Sequence, residues 1–454
     1  MERTEGTGAG PSERAPGAAS LGPRVGPLSA ALVTVGAMVG SGIFTAPAEV
    51  AAQVGAPWQA VAVWALGALL TLLGALSLAE LGAALPEAGG LYVFLRRAYG
   101  PRVAFVFGWS MLAVSVPSSV GWFAVVTARQ LRHFLPWGER PLALGVIALV
   151  TALNLFGVGL AAGVQALAAT VRYAGLTAVA LACALGAPAV EAAAPTPSGA
   201  VTGGLAAALV GVLWAYDGWI DVTSMASEVR DPARSVPRSL VGGVLAVAVL
   251  YLLVVLGVTR ALGFRELQAL GARGGSLAEA LGATLGVSWG PGAMAALVAL
   301  STSGACLIGM LTGTRVVFAS AEDSRLWGWL RETSRWEVPA AAILVTAALA
   351  SGYVVSSWMA RLAEVFVVGA WPFYALGALA VARLRRQEPA LPRPFRVPWY
   401  PWPVAIFVLA SAAMLAALAL RQPGPTLGSL GLLALGVPLY ALSRRLPGTR
   451  MEDP

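Results

Sequence analysis

Long apolar runs separated by short polar turns recur along almost the whole chain. Most of these runs reach the roughly 20 residues that an α-helix needs to cross the hydrocarbon core of a bilayer. The turns contain Pro and Gly, and no polar stretch is long enough for a second domain. The pattern predicts an all-α integral membrane protein of about twelve transmembrane helices, at about 28–52, 58–85, 103–128, 141–157, 164–187, 201–226, 239–262, 289–320, 338–357, 361–384, 402–420 and 425–443.

The two ends of the chain lack an apolar run. Residues 1–26 are mainly Gly, Ala, Pro, Ser, Glu and Arg, which predicts a disordered tail and no signal peptide. A second short tail is predicted over 444–454. The membrane domain is therefore expected to occupy residues 27–443.

The composition agrees with a membrane environment. Hydrophobic residues make up 58% of the chain and charged residues 11%, whereas soluble domains carry roughly 25% charged residues. All thirty basic residues are Arg. They lie in short loops and form no continuous basic face, so the net charge of +8 does not indicate nucleic-acid binding.

The distribution of Arg predicts the orientation in the membrane. If the N-terminus is inside, twenty Arg fall in inside segments and eight in outside segments, while Arg172 and Arg315 lie within spans. Because Arg and Lys favour the cytoplasmic side, both termini are predicted to be cytoplasmic. The expected location is the cell membrane, plasma or inner.

Reactive side chains are few. Cys183 and Cys306 lie in apolar runs and are not spaced for a metal site, and His133 is the only His. The sequence shows no cluster of acids and no thiol–base pair that would suggest catalysis at membrane depth. It therefore predicts neither an enzyme nor a bound metal or other cofactor.

Two of the predicted spans contain helix-breaking residues at mid-membrane. The first span holds Ser41 and three glycines within seven residues: Gly36, Gly40 and Gly42. Each Gly costs roughly 1 kcal/mol relative to Ala in a helix interior. The sixth span holds Asp217 and Gly218. Interrupted backbone survives in a membrane only where it faces protein or water, and paired interruptions point to a transporter binding site.

Broken spans of this kind suit a zwitterion. Freed N–H groups at a positive half-helix end bind a carboxylate, and freed carbonyls at a negative end bind an ammonium group. The alternative for the first span is close helix packing, because Gly36 and Gly40 have the small-xxx-small spacing. Asp217 has three open roles: capping a second half-helix, contacting the ligand or carrying a proton.

Five ordered motifs carry a family resemblance. The first is Gly-Ser-Gly-Ile-Phe at 40–44, and the second is Leu-Ala-Glu-Leu-Gly at 78–82 with Pro-Glu-Ala-Gly-Gly-Leu-Tyr at 86–92 and Ala-Tyr-Gly at 98–100. The third is Trp-Ala-Tyr-Asp-Gly-Trp at 214–219 with Glu-Val-Arg-Asp-Pro at 228–232 and Pro-Arg at 237–238. The fourth is Arg315 with Ala-Glu-Asp at 321–323, and the fifth is Pro-Phe-Arg-Val-Pro at 394–398. Through them the chain resembles, from about 28 to 420, the amino acid–polyamine–organocation transporter superfamily, and within it the L-type amino acid transporter branch.

The resemblance implies a five-plus-five inverted repeat, over about 28–187 and 201–384, followed by two extra helices within about 402–443. It implies sodium-independent secondary transport of amino acids by alternating access, through exchange or proton coupling. Neutral amino acids are the expected substrates. The alternative within transport is a polyamine or cationic amino acid carrier that uses Asp217. A sensor or scaffold that transports nothing would gain nothing from the two breaks.

The resemblance also implies positions for the substrate. It places the substrate carboxylate on the backbone amides of Gly40, Ser41 and Gly42. It places the α-amino group on carbonyls around Met38, Trp214, Ala215 and Asp217. Trp214 occupies the position of an aromatic gate over the substrate, with ordinary core packing as the alternative.

Three features depart from the family pattern. Arg172 stands in the fifth span at a position where relatives usually have a Lys. In those relatives the Lys ammonium group is thought to hold the broken first helix in place of a sodium ion. Because Arg stays protonated, Arg172 suits a structural cation role; snorkelling to an interface is the alternative. Ile220 replaces an Asn found in many relatives, which suits a small or apolar substrate side chain. The loop at about 128–140 has no Cys, which predicts no disulfide-linked partner subunit.

Other polar side chains lie near the span ends or within the eighth span. Glu80, Glu228 and Asp231 are expected to pair with loop Arg residues and help gate the cytoplasmic side, with a solvated interface charge as the alternative. The hydroxyl groups of residues 301–303 either line the cavity or bond back to their own helix.

Overall fold

The structure is a computed structural model that describes residues 25–186, 204–273, 277, 280, 290–334, 336, 338–356, 362–421 and 423–445. The predicted N-terminal tail lies outside these ranges except for residues 25 and 26. The predicted C-terminal tail lies outside them except for residues 444 and 445. Six of the Arg residues used to predict the orientation also lie outside the described ranges: Arg3, Arg14, Arg24, Arg335, Arg361 and Arg450.

The described part of the chain is helical, with two isolated β-bridges. Its α-helices are α1 (Pro27–Met38), α2 (Gly42–Gln53), α3 (Pro57–Ala84), α4 (Leu91–Tyr99), α5 (Pro101–Ser110), α6 (Val116–Leu131), α7 (Glu139–Leu155), α8 (Val158–Gly186), α9 (Gly204–Ala215), α10 (Pro232–Leu262), α11 (Phe264–Ala272), α12 (Gly290–Glu322), α13 (Ala340–Val355), α14 (Leu362–Gln387), α15 (Trp402–Arg421), α16 (Pro423–Ala434) and α17 (Gly436–Arg445). A π-helical turn joins α5 to α6. Short 3-10 helices follow α9 and α12.

The predicted apolar spans coincide with these helices. Within the described ranges, eight helical segments are long and apolar enough to cross a membrane, and the bent pair α1 and α2 makes a ninth. Helices α7, α9 and α13 lie at further predicted spans but have only 17, 12 and 16 residues. The all-α membrane architecture is therefore confirmed, whereas the full set of twelve spans stays a prediction.

The first predicted span consists of α1 and α2, which are bent by 42° relative to each other. The break falls at residues 39–41, where the weak helix formers Gly40 and Ser41 stand. Gly42 also lies against the end of α9, since a Cβ atom there would be 2.7 Å from the Cα atom of Ala215. A glycine at 42 therefore lets the two broken spans touch.

The sixth predicted span breaks after α9. The chain turns at residues 216–220, where Gly218 has a φ of +94°, and a Cβ at Gly218 would be 2.7 Å from the carbonyl carbon of Ala37. The suggestion that Asp217 caps a second half-helix is wrong. The next helical segment is the 3-10 helix Asp221–Ser224, which has Ile220 at its N-cap position and no side-chain cap.

The broken first span is enclosed by other helices. Helix α1 packs against α8, α10 and α12, whereas α2 packs against α9 and α11. Helix α15 contacts α3 and α14, and α16 contacts α14. The break is thus surrounded by packed helices, as interrupted backbone at membrane depth requires.

Candidate functional site

One cavity lies where the two broken spans meet. All seven residues predicted to bind substrate line it: Met38, Gly40, Ser41, Gly42, Trp214, Ala215 and Asp217. The opposite walls come from the π-helical turn, α6, α12 and α14, and include Met111, Phe123, Ile308, Thr312 and Tyr374. Arg172, predicted as a structural cation, and Glu80, predicted to help gate the cytoplasmic side, are not among its lining residues.

The start of α2 presents backbone donors at this cavity. The N–H groups of Ser41 and Gly42 have no hydrogen-bond acceptor in the described part of the chain. The Gly40 N–H donates to the Met38 carbonyl at 2.9 Å, so it is already used. Two of the three expected amides are therefore available, and both lie at the positive end of a helix, where an anion is favoured.

The ends of α1 and α9 bring backbone carbonyls to the same place. The Tyr251 hydroxyl from α10 lies 2.9 Å from the Met38 carbonyl oxygen and 3.1 Å from that of Ala215. The Trp214 carbonyl accepts the Asp217 N–H at 3.1 Å. Because a carbonyl oxygen has two lone pairs, each can still accept a hydrogen bond from an ammonium group.

Sequence reasoning missed Tyr251. It is one aromatic residue within the long apolar helix α10, and nothing in that pattern distinguishes it from core packing. Its side chain is buried and packs against Trp64 and Tyr216, with ring centroids 5.5 and 5.0 Å away. Only the packing of α10 against α1 shows that its hydroxyl joins the two breaks.

Arg172 lies behind the first break. Its Nη2 atom donates to the Gly36 carbonyl at 3.0 Å, and its Nη1 atom donates to the Ser301 carbonyl at 2.7 Å. The side chain is 0% exposed, so the alternative that it snorkels to an interface is wrong. The guanidinium group belongs to α8 and thus links α1 to α12. Both of its contacts are to neutral carbonyl oxygens.

The three hydroxyl groups at 301–303 differ in their contacts. Ser301 Oγ lies 3.1 Å from the carbonyl oxygens of both Val39 and Gly40, in the break itself. Thr302 bonds to carbonyls of its own helix and to Thr127, and Ser303 bonds to the Leu300 carbonyl. Ser301 alone of these three contacts the first span.

Trp214 lines the cavity beside Phe366. Their ring centroids are 5.4 Å apart with an interplanar angle of 72°, an edge-to-face arrangement. Both rings line the cavity, and Trp214 is only partly buried. Both rings also pack against the hydrophobic core, so the gate interpretation of Trp214 stays a prediction.

Two carboxyl groups face the cavity. Asp217 has a buried Oδ1 atom with no hydrogen-bond partner among the described residues, and the Tyr374 hydroxyl bonds to its carboxyl group. Asp221, four residues further along, accepts a hydrogen bond from Thr312 Oγ1 at 3.1 Å. Asp221 was not predicted from the sequence, because its side chain is directed into the cavity only by the turn after α9.

Buried ion pairs lie on the side predicted to be cytoplasmic. Glu80 is 0% exposed and contacts Arg385 at 2.5 Å, Arg393 at 3.2 Å and the Val397 N–H at 2.8 Å. Glu228 is also buried and pairs with Arg315 at 2.8 Å. The alternative of a solvated interface charge is wrong for both acids.

Three other acids lie at these helix ends, and of them Asp323 is buried. Asp231 is exposed, and its backbone carbonyl accepts the N–H of Arg234 and Ser235. Glu388 pairs with Arg97 at 2.7 Å, which lowers the pKa of the carboxyl group. Burial raises the pKa of Asp323, although Tyr92 and Arg96 bond to it at 2.6 and 2.9 Å and oppose that shift.

The described residues contain no group of three or more His, Cys, Asp or Glu placed to hold a metal ion. Cys183 and Cys306 are both buried and free. The chemistry present at the cavity is that of backbone amides, carbonyls, hydroxyl groups and two carboxyl groups. Such groups can bind and release a polar solute.

Comparisons with known proteins agree with this site. A family profile described as Amino acid permease matches residues 25–440. The chain is 29% identical over 392 residues to the Serine/threonine exchanger SteT of Bacillus subtilis (strain 168), covering 83% of this chain and 87% of that protein.

Two mammalian proteins are similar over comparable lengths. The b(0,+)-type amino acid transporter 1 of Oryctolagus cuniculus is 30% identical over 407 residues, covering 84% of this chain and 80% of that protein. The Large neutral amino acids transporter small subunit 2 of the same organism is 28% identical over 445 residues, covering 94% and 81%.

Proposed function

Because the chain belongs to the amino acid permease family, we propose that it is a secondary transporter that binds amino acids in the cavity between its two broken spans. It is a multi-pass membrane transporter and not an enzyme, and it resembles the L-type branch. The single observation that carries the proposal is the pair of unused amides at Ser41 and Gly42, which face the carbonyl ends of α1 and α9.

These groups suit the two charges of a zwitterion. The substrate carboxylate binds the N–H groups of Ser41 and Gly42 at the positive end of α2. The α-ammonium group binds the carbonyl oxygens of Met38, Trp214 and Ala215 at the negative ends of α1 and α9, close to Asp217. Trp214 closes over the bound substrate together with Phe366.

Transport proceeds without sodium because Arg172 supplies a fixed positive charge behind the first break. Its contacts to the Gly36 and Ser301 carbonyls support this role, since they hold α1 against α12. A permanently charged guanidinium group does not itself carry a proton. We propose alternating access by either exchange or proton coupling, with the buried Glu80 and Glu228 pairs holding the cytoplasmic side.

The proposed architecture is the five-plus-five inverted repeat, over about 28–187 and 201–384, with two further helices within about 402–443. Both termini lie in the cytoplasm, and the protein sits in the cell membrane. The absence of Cys from residues 128–140 supports transport without a disulfide-linked partner subunit.

Neutral amino acids are the proposed main substrates. The apolar wall formed by Met111, Val116 and Ile308 accommodates an uncharged side chain, and Ile220 adds to it. A carrier of cationic amino acids or polyamines is the second candidate. The unpartnered Oδ1 atom of Asp217 at the cavity favours it.

The proposal is tested with purified protein in sodium-free proteoliposomes. Labelled alanine is supplied outside vesicles that are empty or preloaded with neutral amino acids, with and without an inward proton gradient. Uptake only into preloaded vesicles establishes exchange, and gradient-driven uptake into empty vesicles establishes proton symport. If alanine, larger neutral amino acids and cationic amino acids all fail to enter the vesicles under every condition, the assignment is overturned.

A further inference from the structure

We propose that Asp221, together with Thr312, forms a subsite for a positively charged group at the end of the substrate side chain. Asp221 thereby decides how well the protein accepts diamino acids relative to neutral ones. This inference rests on the proposed amino acid transport, and it adds the substrate class that the cavity selects.

Asp221 is held in place by a neutral donor. Its Oδ2 atom accepts a hydrogen bond from Thr312 Oγ1 at 3.1 Å, and the same hydroxyl lies 2.9 Å from the Ile308 carbonyl of α12. Thr312 is 3% exposed. Because this hydroxyl has one proton for two acceptors, it contacts the carboxyl group on the cavity wall without satisfying it, and both carboxyl oxygens can accept a bond from a ligand.

The second carboxyl group in the cavity reinforces the first. Asp217 and Asp221 both line the cavity, and the Oδ1 atom of Asp217 is buried with no partner in the described part of the chain. The two carboxyl groups are close enough to repel each other when both are charged, and the donors beside them are neutral: Tyr374, Thr312 and Gly218. A bound cation would satisfy acceptors that these neutral donors leave open.

The two buried Arg side chains of the described helices are committed to other partners. Arg172 bonds to the Gly36 and Ser301 carbonyls, and Arg315 pairs with Glu228. No ion pair of Asp217 or Asp221 occurs among the residues that the structure describes. Because a carboxylate away from water is costly unless a charge or several donors face it, the ligand is the group that can supply that charge.

The positions of the two charge-binding regions define the substrate. The break binds the α-carboxylate and α-ammonium groups that all amino acids share. Thr312, which contacts Asp221, lies eleven residues beyond Ser301 along α12, and Ser301 contacts the first break. Because an α-helix rises about 1.5 Å per residue, Asp221 lies along the cavity from that break, and we place the far end of an extended substrate side chain beside it. A diamino acid with a terminal ammonium group fits both regions at once.

Competition against labelled alanine uptake in sodium-free proteoliposomes tests the proposal. The competitors are 2,3-diaminopropionate, 2,4-diaminobutyrate, ornithine and lysine, with serine and leucine as neutral references. In the unmodified protein, one of the four diamino acids should have a lower inhibition constant than the shorter and longer ones, because its side chain has the length that fits the subsite. In Asp221→Asn, the ratio of diamino to neutral inhibition constants should rise about tenfold or more, because a charge-assisted hydrogen bond is lost.

Three further variants keep the test sharp. Asp221→Glu should restore most of the ratio, and Thr312→Val should raise it less than Asp221→Asn does. Glu139→Gln removes an acid that pairs with Arg129 away from the cavity, and the ratio should stay as in the unmodified chain. Because both inhibition constants are measured in the same variant, a general loss of folded protein does not change their ratio.

The outcomes separate this inference from the proposed function. Alanine uptake with an unchanged ratio in Asp221→Asn, or equal weak inhibition by all four diamino acids, overturns the subsite and leaves amino acid transport intact. Absence of alanine and diamino acid uptake in the unmodified chain overturns the transport assignment itself.

Discussion

The two broken spans meet at one cavity but are built differently. The first break lies between two regular helices and is held by three side chains from other helices: Arg172, Tyr251 and Ser301. The sixth break shares only Tyr251, through the Ala215 carbonyl, and continues as turns and 3-10 helices that carry Asp217 and Asp221. The first break is fixed by contacts to its backbone, whereas the sixth places side chains in the cavity.

This difference suggests a division of labour. In the proposed binding mode, a backbone held at several points would present the same amides and carbonyls to every amino acid, because it would contact only the groups that all amino acids share. A turn that carries carboxyl groups would distinguish one side chain from another. Changes at the first break should therefore reduce transport of all substrates, and changes at the sixth should alter selectivity.

The largest effect is expected where the two breaks touch. In Gly42→Ala the new Cβ atom would lie 2.7 Å from the Cα atom and 2.8 Å from the Cβ atom of Ala215. Backbone must move to relieve this contact, so uptake of every substrate should fall to background. Gly352→Ala, where nothing lies within 4 Å of the added atom, is the control. Uptake by Gly42→Ala at the rate of the unmodified chain would show that the close approach is not needed.

The next largest effect is expected at Arg172. Arg172→Met leaves the Gly36 and Ser301 carbonyls without these donors, which should lower the free energy of unfolding by about 1–3 kcal/mol. Uptake should fall for neutral and cationic substrates alike, with partial recovery in Arg172→Lys. Thermal unfolding and alanine uptake measure the two effects. The exposed Arg129→Gln variant is the control, and loss of selectivity alone in Arg172→Met would contradict the division of labour.

A smaller effect is expected from the hydroxyl group that joins the breaks. Tyr251→Phe removes one hydroxyl donor that the Met38 and Ala215 carbonyls share, and it keeps the ring. The KM for alanine should rise about five- to tenfold, since this hydroxyl joins the two breaks and one such hydrogen bond contributes about 0.5–1.5 kcal/mol. Tyr173→Phe is a matched control, because that hydroxyl bonds to the Ala246 carbonyl at 2.7 Å and Tyr173 does not line the cavity. An equal rise in both variants would assign the effect to general stability.

The smallest effect is expected at Ser301. Ser301→Ala removes one hydroxyl donor shared between the Val39 and Gly40 carbonyls. The KM for alanine should rise about two- to threefold, because one shared bond near 0.5 kcal/mol is lost. Ser303→Ala removes a hydroxyl that bonds within its own helix and should leave the KM unchanged. A larger change in Ser303→Ala than in Ser301→Ala would contradict the contacts that hold the first break.

Local features of the sequence predicted the breaks themselves. Gly40, Ser41 and Gly42 are weak helix formers within an apolar run, and Asp217 with Gly218 marks a similar interruption, so no knowledge of packing was needed. The apolar pattern located the helices for the same reason. These signals arise from residues that are close together in the chain, so they can be read from a single sequence.

The contacts that hold the breaks could not be predicted in this way. Tyr251 and Ser301 gain their roles only because α10 and α12 pack beside α1, which involves residues more than 200 positions apart. The Gly40 amide turns back to the Met38 carbonyl, so the set of available amides is smaller than expected. Asp217 does not act as a cap, because the sixth break continues as turns and the 3-10 helix Asp221–Ser224 and not as an α-helix that starts at Asp217.

Competition by alanine analogues tests most directly whether the first break recognises the backbone charges of an amino acid. Labelled alanine uptake is measured in sodium-free, preloaded proteoliposomes with excess alanine, alaninamide or propionate outside. Alaninamide lacks the carboxylate that the Ser41 and Gly42 amides would bind, and propionate lacks the ammonium group. We expect alanine alone to inhibit uptake strongly. Inhibition by alaninamide equal to that by alanine would contradict carboxylate binding at the start of α2.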